Sequence, residues 1–196
     1  MEASRGVDRA AEEFQGVFAG LRAARLRREV IVEEVPAPAR LAPYSAALSA
    51  EVVVGGQELA SGRLVLLHNP AAPEAWCGTY RLVTFVRAEL EPEMMSDPLL
   101  PSVGWTWLTD ALGSRDARHV ATSGTVTRAA SESFGTLADR PATTEIEVRA
   151  SWTPTDADLR AHLEAWVDLL CTAAGLPPLP PGVVAISQRR GTQTAR

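Results

Sequence analysis

Thr143-Thr144-Glu145-Ile146-Glu147-Val148-Arg149-Ala150-Ser151-Trp152 is the stretch on which the fold turns. Thr144, Ile146, Val148, Ala150 and Trp152 fall on one side of an extended chain, and Glu145, Glu147, Arg149 and Ser151 fall on the other. Side chains along a strand alternate between the two faces of its sheet, so the apolar set packs on a core and the polar set meets water. One covered face and one wet face is the habit of antiparallel sheet, whereas strands of parallel sheets are apolar on both sides.

Downstream of this strand, Thr153-Pro154 or Thr155 begins the last helix, with Asp156 and Asp158 in its first turn. Leu159, Leu163, Trp166, Val167 and Leu170 form its buried stripe, and Gly175, Pro177 and Pro178 end it. Past Pro181 the chain turns polar and basic. Residues 1–182 are therefore expected to form a single domain, and residues 183–196 a disordered tail.

Upstream, Thr125 to Phe134 predicts another strand, preceded by a short helix from Val103 to Leu112 that Gly113 would stop. Before it lies an acidic, proline-punctuated connection from Glu91 to Pro101. Tyr80 to Leu90 predicts the longest strand, with Leu82, Val86 and Leu90 on one face and Val83 and Phe85 on the other. A strand apolar on both faces is either covered twice or exposes a contact surface. Val30–Val35, Ala46–Val54 and Arg63–Leu67 predict three more strands, the last two joined by a turn at Gly55-Gly56. The chain opens with an amphipathic helix from Val7 to Arg27, built on Phe14, Val17, Phe18 and Leu21. The fold class is thus α+β: a predominantly antiparallel sheet of five to six strands with N-terminal, middle and C-terminal helices packed on it.

With 196 residues, 46% hydrophobic and 22% charged, the chain has a globular composition. No apolar run reaches the roughly 20 residues of a membrane helix. The start, Met1-Glu2-Ala3-Ser4-Arg5, has no secretory pattern, so a cytoplasmic location is expected. Cys77 and Cys171 then read as reduced thiols. All basic residues are arginine, and the net charge of −5 argues against a general nucleic-acid coat while leaving room for a local basic patch.

No segment carries a catalytic or metal motif, and no cofactor is expected. His68, His119 and His162 stand at no metal-ligand spacing, and His162 reads as a histidine at the edge of a core stripe. Ser131-Glu132-Ser133-Phe134-Gly135 lacks the first glycine of a nucleophile elbow and the helix that should follow it. The candidate binding residues are Phe85, Glu93, Trp105, Trp107, Arg128 and Glu132. Phe85 belongs to the second apolar face of its strand. Trp105 and Trp107, two apart on a helix, point in different directions, so either one is exposed or both are half-buried. Arg128 and Glu132 share a strand face with Val126 and Phe134. That face points to solvent if the small-residue face packs under a helix, and otherwise carries a charged pair into a pocket with Glu93.

Several stretches are also similar to one another's counterparts in a known family. They include Gly20-Leu21-Arg22-Ala23-Ala24-Arg25-Leu26-Arg27, Val86 to Met94, Arg140 to Trp152 and Leu170 to Gly182. Together they resemble an actinobacterial domain family of unknown function (DUF3000), over nearly the whole chain apart from its ends and the Ser114–Ala121 loop. The resemblance brings no activity and no functional residues. Family genes lying near a ribonuclease D-like gene imply a link to RNA metabolism. The order of elements is similar to small secretion-chaperone-like folds, from which the extra early strand departs. Three functions follow in order of preference. The first is a non-enzymatic interaction or adaptor module, with an unknown protein partner or a second copy on the Val83–Phe85 face or the Trp105–Trp107 segment. The second is a small-ligand protein or enzyme with a pocket at Arg128, Glu132 and Glu93. The third is an RNA-metabolism accessory factor using Arg22, Arg25, Arg27 and Arg28.

Overall fold

The computed structural model describes residues 2–156 and 158–178. In chain order the elements are α1 (Glu2–Arg22), β1 (Val30–Val35), β2 (Tyr44–Val54), β3 (Gln57–His68), β4 (Tyr80–Leu90), α2 (Leu100–Ser114), β5 (His119–Ser131), β6 (Thr143–Pro154) and α3 (Arg160–Ala173). The strands form one antiparallel sheet in the order β1-β2-β3-β4-β6-β5. β1 to β4 run as a meander. The chain then crosses through α2 to the outer edge as β5 and returns as β6 beside β4. This is the α+β class that the order of helices and strands in the sequence predicts.

All three helices lie on the face that collects the apolar alternates. Leu48 and Val52 of β2, Leu64 and Leu66 of β3, Leu82 and Val86 of β4, and Ile146, Val148 and Trp152 of β6 are buried there. Phe14, Phe18 and Leu21 of α1, Leu108 and Leu112 of α2, and Leu163, Trp166 and Leu170 of α3 cover them. Each such side chain contributes about 1.5–3 kcal/mol by leaving water. Close packing needs small residues where helix meets strand. A Cβ on Gly62 of β3 would lie 2.9 Å from Leu170 and 3.2 Å from Trp166, and one on Gly104 of α2 would lie 2.8 Å from Ile146. Arg115 ties α2 to α3 by donating to Asp168 at 2.6 and 3.0 Å and to Glu164 at 2.9 Å.

Several element limits differ from those the sequence predicts. α1 ends at Arg22 rather than Arg27, because the chain turns there and Arg27 folds inward to donate to the Pro177 carbonyl. β3 is longer than Arg63–Leu67: Gln57 and Glu58 already pair with β2, and from Ala60 on it pairs with β4 as well. α2 starts at Leu100 with Pro101 in its first turn and runs through Gly113. β5, not β4, is the longest strand: it starts at His119, inside the segment read as a loop, and stops before Glu132 and Phe134. Its start is masked by a register shift between Val120 and Ser123, where Ala121 takes a left-handed conformation (φ 51°). Thr153 and Pro154 do not begin the last helix. They extend β6, paired with Val120 and His119, and α3 starts only at Arg160, whose amide donates to the Asp158 carboxylate. Residues 183–196, expected as a disordered tail, lie outside the described residues.

Gly124 of β5 leaves no room for a side chain. A Cβ there would press into the Arg149 carbonyl of β6 and come within 2.8 Å of the Trp105 ring of α2. Gly124→Ala is expected to lower the unfolding free energy by about 1–3 kcal/mol, read as a shifted urea midpoint at unchanged slope.

Candidate functional site

The face opposite the helices is organised in rows that the strand register sets. Arg63 of β3, Phe85 of β4, Arg149 of β6 and Thr125 of β5 are consecutive cross-strand partners. Two residues along, the row reads Val65, Val83, Ser151 and Ser123. The next row pairs Leu67 with Arg81. Loops close one side of this face: Ala47, Val65 and Leu67 are buried beneath Ala37, Ala42 and Trp76. The remainder is an open depression of about 390 Å³ with Val65, Val83 and Phe85 at its base and Arg63, Arg149, Ser123, Thr125 and Ser151 around them. The Arg149 guanidinium sits 5.1 Å from the centre of the Phe85 ring, a cation–π contact, and also pairs with Glu147 at 2.7 Å. Arg63 donates to the Pro36 carbonyl at 2.9 Å.

Arg81, the first polar residue of β4, is 8% exposed. Its guanidinium donates to the Ala121 carbonyl (2.8 Å), Thr153 Oγ1 (3.1 Å), Ser123 Oγ (3.3 Å) and Ser151 Oγ (2.7 Å). All four acceptors are neutral. Among the described residues no ion pair involves Arg81. Burial pulls its pKa below the ordinary arginine value, a shift that neighbouring Cys77 opposes. Two left-handed non-glycine residues flank it, Ala121 (φ 51°) and Cys77 (φ 56°), and the Ala121 kink turns a carbonyl onto the guanidinium. Backbone strain of this kind costs about 1–2 kcal/mol per residue.

Of the residues the sequence singles out, Phe85 lies in the depression together with Val83 of the same face, and the other candidate binding residues do not. Trp105 and Trp107 are both half-buried against the main core, so neither is the exposed ring that one of the two expectations required. Arg128 stands opposite Ile146, so its strand face is the helix-covered one rather than the solvent face, and it donates to the Asp97 carbonyl at 2.7 Å. Glu132 follows the end of β5 and is exposed, as is Glu93 in the 3₁₀ turn Pro92–Ser96. None of these three groups lines the depression. Of the helix-end arginines, Arg22 pairs with Glu34, while Arg27 and Arg28 pair with Glu29. Sequence reasoning misses Arg63, Arg81 and Ser123. The signal for Arg81 is its spacing of two from Val83 and four from Phe85. Arg149 and Ser151 are assigned to the correct face but read as plain solvent residues.

An apolar floor beside hydroxyl and guanidinium donors can hold a part-apolar, negatively charged group. Its lining residues contain no histidine, cysteine or carboxylate to act as base or nucleophile partner. Among the described residues no three His, Cys, Asp or Glu side chains gather as a metal site, and no helix is long and apolar enough to cross a membrane.

Fold and site together define a single α+β domain with three helices on one face of a six-stranded antiparallel sheet and a cation-rimmed depression on the other. The chain belongs to the family described as protein of unknown function (DUF3000), whose model matches residues 10–184. No curated protein and no solved structure matches it.

His162 lies away from this face, fully buried in α3. Its Nδ1 accepts from the Trp152 indole N–H at 3.1 Å. Burial lowers its pKa from 6.5 to about 4, with a smaller contribution in the same direction from His119 and opposing ones from Asp156 and Asp158. The unfolded chain therefore takes up a proton near pH 6.5 that the folded chain refuses until about pH 4. Stability is fully present above that window and falls by roughly 3 kcal/mol as pH drops through it. His162→Gln is expected to flatten this part of the curve in urea titrations taken from pH 7 to 4. An unchanged slope would assign the loss to other groups.

Proposed function

We propose that the protein is a non-enzymatic, adaptor- or chaperone-like interaction module of the cytoplasm that docks an extended segment of a partner protein across the helix-free face of its sheet. The observation that carries this is the row Arg63–Phe85–Arg149, an aromatic residue with an arginine on each neighbouring strand, on a face that the helices do not cover. The neighbouring row adds the half-buried Val83. An apolar strip flanked by positive charge complements a segment that is apolar and acidic, and aromatic and arginine side chains dominate the energetics of protein interfaces. The pairing of Arg22, Arg27 and Arg28 with carboxylates gives the RNA alternative less free positive charge to work with.

Affinity recovery from the native host, combined with cross-linking, tests this directly. A partner should be recovered in stoichiometric amount, cross-linked through an acidic and apolar segment to β3, β4 or β6. Phe85→Arg should reduce its recovery at least tenfold while leaving the circular dichroism and urea midpoint unchanged. Equal recovery with the variant sinks the assignment of this face, and recovery of a second copy alone would replace the partner by self-association.

A further inference from the structure

We infer that the depression is a carboxylate-recognition pocket in which Ser151 and Ser123, oriented by the buried Arg81, hold an acidic side chain of the docked segment while Val83 and Phe85 hold the apolar residue two positions from it. The inference rests on the docking function proposed above and adds the chemistry that would choose the segment.

Arg81 is the starting point. A buried guanidinium gains from hydrogen bonds, but neutral acceptors leave its charge uncompensated, and that charge is expensive in a medium poorer in water. The remedy within reach is an anion on the open side. The hydroxyls show where it would sit. Ser151 and Ser123 each accept from Arg81, so each must send its own hydrogen elsewhere. Their oxygens lie 3.4 Å apart, so at most one hydrogen is spent between them and at least one remains to donate into the depression. Thr153 is different: its hydroxyl donates to the Trp76 carbonyl, beneath the loop that buries this end of the face. Arg81 thus polarises two serines without itself reaching the surface, and the strained carbonyl of Ala121 helps to fix it in place.

The rows define the ligand's shape. Val65 and Val83 occupy β3 and β4, and Ser151 and Ser123 continue the same row on β6 and β5. Neighbouring strands are about 4.8 Å apart, so apolar floor and hydroxyl pair are separated by roughly 5–10 Å. Apolar and acidic residues two apart in an extended peptide share one face at about 6.6 Å, which matches that separation. Arg63 and Arg149, one row along, draw negative charge towards the depression. Arg149 already shares its charge with Glu147, so Arg63 is the freer of the two.

The test is a titration of the full chain, followed by amide ¹H–¹⁵N correlation spectra at constant ionic strength. The probes are phenylacetate, benzylamine, inorganic phosphate and an acetylated, amidated hexapeptide with glutamate and phenylalanine two positions apart. Phenylacetate and the peptide should shift the amides of Phe85, Ser123, Thr125 and Ser151 saturably, the peptide more tightly. Benzylamine, with the same ring and opposite charge, should not, and phosphate without an apolar body should bind at least tenfold more weakly. Arg63→Gln and Ser151→Ala lie at the open surface and should each weaken the carboxylate probes roughly tenfold, the loss of one charge-assisted or hydroxyl contact. Arg81→Met should abolish binding, and the two surface variants keep the test decisive if it fails to fold. Equal binding of benzylamine and phenylacetate, phosphate binding as tightly as phenylacetate, or unchanged affinity in Arg63→Gln and Ser151→Ala overturns the pocket. Phenylacetate binding without peptide binding overturns the peptide as its source. Probe binding that persists when partner recovery ignores Phe85→Arg discards the docking function alone. Phe85-dependent recovery without probe binding discards the pocket alone.

Discussion

Trp166 and Leu170 of α3 descend onto the sheet where β3 offers no side chain, at Gly62, and the other helices take their places around that contact. Removing a Cβ brings the helix close enough for Trp166 to be fully buried over the centre of the sheet. α1 and α2 then flank α3, α2 fastened by the fork of Arg115 on Asp168 and Glu164. Because the helices gather on this side, the opposite side of β3, β4, β6 and β5 has, among the described residues, loops to cover it, and those lie over Leu67 and Val65. The open depression is a consequence of where the helices are, not of any local irregularity in its own strands.

Charge is distributed unevenly along that open face. Towards one end Arg87 makes a bidentate pair with Glu145, and Arg149 pairs with Glu147, so cations and carboxylates offset each other across and along the strands. Towards the other end Arg81 meets only neutral oxygen. Phe85 and Val83 lie between the two regimes. The same face therefore changes within a few residues from self-neutralised to electrostatically unsatisfied, and the apolar floor marks the boundary.

The architecture is legible in the sequence where one face of a strand meets water. Thr143–Trp152 reads correctly because its alternation has only one physical explanation. β5 is blurred because Thr, Ser, Ala and Gly alternate with one another, so neither face stands out, and its kink at Ala121 breaks the period. Thr153-Pro154 misleads for a different reason: a hydroxyl followed by proline suits a helix start and equally suits the last residues of a strand whose end needs no further pairing. The site is harder still. Phe85 is visible as an apolar residue on the wrong face, but its neighbours Arg63, Arg149 and Ser151 come from other strands. Their convergence is a property of register, fixed by pairing across β3, β4 and β6, and no single strand carries it.

The two cysteines end up in opposite circumstances. Cys171 is buried in α3, where loss of solvent raises its thiol pKa to about 11, while Cys77 is exposed on the turn beside Arg81. A thiol at so high a pKa is almost wholly protonated at neutral pH and is screened from reagents by the core. The native chain thus carries its own labelling scheme: an alkylating dye placed gently reports the neighbourhood of the depression through one sulfur, and modification of the second sulfur becomes a clock for the opening of the helical layer.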